Sequence, residues 1–301
     1  MKIILLVLFV LVFGAPVWPQ TVIQNQTFLT APAAPWKIRI DGKSLDITKV
    51  QAKPDGRSIY VLMIDPKEEM NVSIFIEPVD RCKTTDECRD LVLNSGNPGW
   101  GKFQDLAKGK LGDSSYFEFF RPVAGGQPLR MFDMYAEFVR DGYWVDLHLS
   151  KTSYKKEDHA LFENYVKAMT FVSKPGGQAN DAEKLSDSVQ RISTDWLALW
   201  DGGKCRETYN ALTSISRAAV TEKTWIPYCE NSLKNVGKLE SRQLITASLI
   251  KSLPSKPDYS GATLHYQSAF SAGLALEYVT LTLEKDGRWT VSNYLLRPMG
   301  N

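Results

Sequence analysis

Three groups of residues in this 301-residue chain have the types and spacing to do chemistry. The first surrounds His148. Asp141-Gly142 is the preferred two-residue hairpin turn, and it fixes the register of residues 131–140 against 143–150. That register puts Tyr135 opposite His148 and Glu137 opposite Asp146, with Asp133 on the same face. Two directly opposed carboxylates repel unless water or a cation intervenes. Asp133, Glu137, Asp146 and His148 are therefore the candidate ligands of a divalent metal. The plainer reading is a water-exposed strand face, or a Lys or Arg laid across the pair. We expect the plainer one, with no metal and no cofactor. His159, beside Glu157 and Asp158, reads as part of the solvated side of a helix.

The second group is aromatic. His265 alternates with Thr263 and Gln267 and faces Tyr278 on the next strand. Trp196, Trp200 and Tyr266, with His265 and Tyr278, are the candidates to line a small-molecule space between helices and a sheet. Aromatic core packing explains the same residues without a ligand.

The third group is the four cysteines, which fall as two local pairs, Cys82/Cys88 and Cys205/Cys229. Their spacings fit no CxxC zinc pattern, and the chain has 3 His. In an oxidising compartment an even count favours disulfides. Three pairings are possible, and one bond per half is the simplest.

Other chemistries leave no signature. The chain lacks GxSxG, HExxH, GxxxxGK[ST] and a GxGxxG that follows a strand. The loop at 96–101 has no Lys-Ser/Thr, so it reads as a turn. Hydrophobic residues at 44% and charged residues at 23% exclude a wholly disordered or collagen-like chain. A net charge of +2 lacks the basic excess of a dedicated nucleic-acid binder.

The N-terminus sets the compartment. Lys2 precedes an apolar run from Ile3 to Phe13, too short for the roughly 20 residues of a membrane span. Val12-Phe13-Gly14 offers small residues for cleavage, and Pro16 and Pro19 follow. This is the pattern of a secretory signal peptide over 1–19, cut near 14–20. No Cys stands near the cut, so no lipid anchor is expected. No later stretch is apolar enough to span a membrane. The mature chain is expected in the periplasm or secreted.

The elements that position these groups follow from periodicity. Strand-like runs occupy 36–40, 58–64 and 71–76. Thr84-Thr-Asp-Glu87 is a capping box opening a helix that stops near Ser95-Gly96. The 131–150 hairpin precedes a helix carrying Leu161, Phe162, Tyr165, Val166 and Met169. A Gly/Pro-containing linker at 175–180 separates two expected domains, 20–174 and 181–301. Asn180 caps a long helix ending at Asp201-Gly-Gly203, and shorter helices follow at 205–212 and 222–234. Strands then dominate, at 241–253, 262–270, 273–283 and 288–296. The fold class is α+β in both halves: an antiparallel-sheet α/β sandwich, then helices on a curved antiparallel sheet.

The second half carries a family pattern. Trp196-Leu-Ala-Leu-Trp-Asp-Gly-Gly203, Ser216-Arg-Ala-Ala-Val220, Trp225, Gly237 with Arg242, and Lys285-Asp-Gly-Arg-Trp-Thr-Val-Ser292 with Tyr294 succeed one another. This order resembles the bacterial domain-of-unknown-function family 4019, over about residues 181–298. The resemblance implies a cystatin-like, nuclear-transport-factor-like cone and a secreted bacterial protein, and implies no activity. Cys205 and Cys229 replace apolar residues of that pattern together, which implies a bond between them. The first half resembles the PsbP-like α/β/α sandwich, through Trp36-Lys-Ile, the Asn71-Val-Ser-Ile strand and the element order over about 36–172. Such folds are often accessory or binding subunits. The expected function is a non-catalytic binding or interaction module of the envelope, whose partner is an envelope protein or a small molecule. The rival expectation is a small-molecule enzyme using the cone's cavity.

Overall fold

The computed structural model describes residues 25–31, 33–43, 45–53, 57–95, 103–122, 130–173, 181–253 and 256–299. The expected signal peptide, the 96–101 turn and the 175–180 linker, with its Asn180 cap, lie outside the described residues. In chain order the elements begin β1 (Gln26–Thr30), β2 (Trp36–Asp41), β3 (Asp46–Ala52), β4 (Ile59–Asp65), β5 (Met70–Pro78) and α1 (Thr85–Ser95). Next come β6 (Gln104–Leu111), β7 (Ser114–Arg121), β8 (Met131–Arg140), β9 (Tyr143–Lys151), α2 (His159–Ala168) and β10 (Met169–Ser173). The last third holds α3 (Asp181–Asp201), α4 (Cys205–Asn210), α5 (Ser214–Ala219) and α6 (Glu222–Val236). Four strands close the chain: β11 (Leu239–Leu253), β12 (Lys256–Phe270), β13 (Gly273–Leu283) and β14 (Trp289–Pro298).

The strands form two antiparallel sheets of seven. One runs β3-β4-β5-β9-β8-β7-β6. Its centre is the β8–β9 hairpin, in the register that Asp141-Gly142 dictates: Ala136 opposite Leu147, Glu137 opposite Asp146, Tyr135 opposite His148. Asp141 and Gly142 both take positive φ, 47° and 78°, as a tight hairpin requires. The other sheet runs β10-β2-β1-β11-β12-β13-β14. It therefore joins strands from both ends of the chain, since β1 pairs with β11 through Gln26–Leu249 and Leu29–Thr246.

The main core lies between the two sheets. It combines Val61, Ile74, Ala136 and Leu147 of the first sheet with Ile38 of β2, Phe162 and Tyr165 of α2, and Ile245 and Leu276 from the last strands. The far face of the second sheet is covered by α3, α4 and α6 around Phe28, Trp196, Trp200 and Trp225. Phe28 and Leu29 are consecutive on β1 and serve opposite faces, as strand alternation requires. The first sheet lies wholly before the expected boundary at 175–180, and the second draws strands from both sides of it. A strand ladder, and the core holding Ile245 and Leu276, both cross it.

Both disulfides follow the local pairing. Cys82–Cys88 pins the entry of α1, whose Thr84 hydroxyl accepts from the Glu87 amide at 3.2 Å. Cys205–Cys229 ties α4 to α6 across a separation of 24 residues. Chain entropy assigns the longer loop about 3–4 kcal/mol and the shorter about 2 kcal/mol.

Candidate functional site

The face of the first sheet that carries His148 is covered, contrary to the expectation of a solvated surface. α1 packs across β7 and β8 there, because Leu93, Phe117, Phe119 and Tyr135 form an apolar patch among the polar positions. Asp133 and Glu137 are both fully buried. Asp133 is held on two sides, by a bidentate Arg121 at 2.6 and 2.9 Å and by His148 Nε2 at 2.8 Å. The His148 ring stacks on Tyr135 with centroids 4.1 Å apart. Glu137 instead accepts from the Trp144 indole at 2.6 Å, and its Oε1 has no hydrogen-bond partner. Asp146 opposite it likewise has a covered Oδ1 without a partner. Burial pushes the Glu137 carboxyl well above its ordinary range, and the facing Asp146 adds to this against the opposing Trp144 bond. Burial also raises Asp146 to about 6, with His148 opposing. The four candidate ligands thus split into an Arg-neutralised Asp133–His148 pair and a facing carboxyl pair. Among the described residues no group of three or more His, Cys, Asp and Glu converges to hold a metal ion. His159 is not simply solvated, since its Nε2 meets Glu118 at 3.0 Å.

On the second sheet the aromatic candidates separate. Trp196, Trp200 and Tyr266 meet on the helix side, Trp196 5.8 Å from Trp200 and Tyr266 bonded to the Ser193 hydroxyl at 3.0 Å. His265 and Tyr278 lie on the opposite face, ring centroids 4.8 Å apart, with the Thr246 hydroxyl 2.7 Å from His265 Nδ1. Consecutive strand residues cannot share a face, so Tyr266 and His265 never could line one space. Burial lowers His265 to about 4.

The helix side also holds a charge cluster that the sequence did not single out as a site. Arg242 clamps Asp201 at 2.7 and 2.9 Å and Glu277 at 2.6 and 3.0 Å. Fully buried Glu277 further accepts from the Ser268 hydroxyl, and from Tyr294 at 2.6 Å. Burial alone would lower the Arg242 pKa, but the bonds to Asp201 and Glu277 hold it above the ordinary guanidinium value. Burial and the Glu277 charge raise Tyr294 well above its usual range.

Beside this filled interior lies a groove of about 1540 Å³. Ile192 and Trp196 of α3 form one wall, the segment through α5 the other, and Trp289 and Val291 of β14 the floor. The α5 wall is fastened to β14. The Thr213 amide donates to Val291 O at 2.9 Å, and the Ser216 hydroxyl donates to Ser292 O at 2.6 Å. Arg217 braces the turn by donating to Asn210 O and Leu212 O. Ile215, 71% exposed, stands at the rim. The rim charges balance, Asp195, Glu284 and Asp286 against Arg217, Lys285 and Arg288. Of the sequence-chosen ligand residues, Trp196 alone lines this groove. Ile215 was missed because α5 has six residues and shows no periodicity.

Three comparisons bear on the chain. No curated protein matches it. It is similar in part to the solution structure of cyanobacterial PsbP (CyanoP) from Synechocystis sp. PCC 6803, at 13% identity. That match covers 52% of this chain and 98% of that one, with a TM-score of 0.35. It is also similar in part to the structure of Bd1075 of Bdellovibrio bacteriovorus, at 9% identity over 85% of this chain and 94% of that one, with a TM-score of 0.32. Residues 192–294 match the family described as "Protein of unknown function (DUF4019)", and that span contains every residue lining the groove.

Proposed function

We propose that this chain is an exported, non-catalytic binding protein of the bacterial envelope, and that its ligand lies in the groove between α3, α5 and β14. The observation that carries this reading is the convergence of separate motifs on one groove. Trp196, Ser216 with Arg217, and the Lys285–Ser292 run come from three places in the sequence and line the same space. Balanced rim charges and an apolar floor suit an uncharged, partly apolar ligand. The groove exceeds the roughly 300–1,000 Å³ of ordinary small-molecule pockets, which suits an extended ligand. An enzyme using the interior of the cone would need a titratable pair there. The interior acids Asp201 and Glu277 are instead neutralised by Arg242. Two disulfides and the apolar run at 3–13 fit an oxidising, exported setting. A cystatin-like cone is the finer reading of α3–α6 on the second sheet.

The test is native mass spectrometry of the protein purified from its own envelope, beside Trp289→Ala and Ile215→Asp. Bound ligand should appear on the wild type and be depleted at least about tenfold on both variants, a loss of roughly 1.4 kcal/mol. Equal occupancy in folded variants would sink the assignment to the groove.

A further inference from the structure

The carboxyl pair under α1 is not explained by a groove on the other sheet. Glu137 and Asp146 are directly opposed on β8 and β9, where facing side chains start roughly 5 Å apart. Glu137 Oε1 and Asp146 Oδ1 are both covered and both without a hydrogen-bond partner. Two acceptors left orphaned opposite each other are an unfavourable arrangement for two carboxylates. One proton between them satisfies both at once. We propose that Glu137 and Asp146 hold a single proton, Glu137 Oε1 donating to Asp146 Oδ1, and that its release to solvent loosens α1 and its disulfide loop from the sheet.

The charges around the pair do not offer another solution. On β5, Glu77 adds negative charge towards Asp146 and is itself paired with Arg81. Arg81 lies over the Trp144 ring at 5.6 Å, engaged with Glu77 at 2.7 Å. On the same face, Arg121 and His148 are both taken up by Asp133. On α1, Arg89 pairs with Asp86 and Asp90, which also hold Lys110 and Lys108. Glu87 is bonded to the Lys83 amide. Among the described residues no ion pair is made to either acid, and His148, which opposes the rise of Asp146, is itself bonded to Asp133. The raised affinity of both acids for protons, caused first by burial, agrees with this geometry.

The connection to α1 is direct. Trp144, which donates to Glu137 Oε2, packs on Cys82 and Cys88, with Leu91 and Val92 against the same cluster. Ser115, opposite Glu137 on β7, bonds Asp86 and Thr85 at the first turn of α1. Once both acids are ionised they must find water, and the cover above them is this helix start.

The full chain tests this by NMR between pH 4 and 10. Carbon-13 shifts of the Glu137 and Asp146 carboxyls should show two separated steps, the later one moving the Trp144 indole N–H resonance as well. Hydrogen-exchange protection of α1 amides, taken as a ratio to β12, should fall about tenfold between pH 6.5 and 9, one pKa unit's worth. Glu137→Gln keeps an acceptor for Trp144 and gives Asp146 a permanent donor, so its ratio should stay flat. Full ionisation of both carboxyls by pH 6 in the wild type would overturn the proposal, whether or not the variant folds. So would an unchanged loss of protection in Glu137→Gln. Protection restored at pH 8.5 by Ca²⁺ or Zn²⁺ would also overturn it, by assigning the pair to a cation.

Discussion

Glu277 and Glu137 are both fully buried strand residues, yet their surroundings are opposite. Glu277 meets Arg242, Tyr294 and Ser268, so each oxygen accepts from a donor and the charge is cancelled nearby. Glu137 meets an indole on one oxygen and another acid beyond the other. The first acid is paired with a partner of fixed charge. The second is held by the proton it keeps. A buried carboxyl therefore says little about a site until its neighbours' charges are counted.

The comparison predicts effects of very different size. Separating the two regions should do the most. A fragment of residues 178–301 lacks β1, β2 and β10, leaving the β11 edge unpaired and Ile245 and Leu276 uncovered. It should be insoluble or molten, and a sharp calorimetric transition would show that the sheet tolerates the loss. Next is Arg242→Met, which strands Glu277 and Asp201. Removing one partner of a buried ion pair costs about 3–5 kcal/mol, measurable by urea denaturation at pH 7. Under 1 kcal/mol, the clamp would contribute nothing beyond packing. His265 follows. Its folded pKa lies below its unfolded value near 6.5, so its contribution is present above that pH and lost as pH falls towards about 4. That loss is about 3 kcal/mol between pH 7 and 4, and His265→Gln should lack it. The acid pair has the opposite sign. Both pKa values are raised, so its contribution is full at low pH and lost as pH climbs through about 6 and above. At pH 6.5, Glu137→Gln should be the smallest effect, within about 1 kcal/mol of wild type.

Which parts of this were legible in the sequence depends on how local the signal was. The β8–β9 register was readable because Asp141-Gly142 fixes it and one apolar face confirms it. The disulfides were readable because four cysteines fall as two local pairs. β1 was not, because Gln26–Thr30 is a short run whose partner lies some 220 residues away. The burial of Glu137 was not, because α1 approaches a face whose polar residues looked like a solvated surface. The aromatic set failed on a rule the sequence already contains, the opposite facing of Tyr266 and His265. The groove was visible only as motifs, since their convergence is a property of the fold.

The pairing of β1 with β11 also bears on the order in which the molecule can be made. Synthesis delivers β1 early and β11 only after roughly four-fifths of the chain has emerged. Until then β1 and β2, joined by β10 once it emerges, are a short ribbon whose β1 edge is open and whose Phe28 is bare, a species prone to pair with the wrong neighbour. The entropy of closing so long a loop must be overcome before this ladder contributes any stability. A chain stalled before residue 239 would be a sticky intermediate, and one that a chaperone for unpaired strands would recognise.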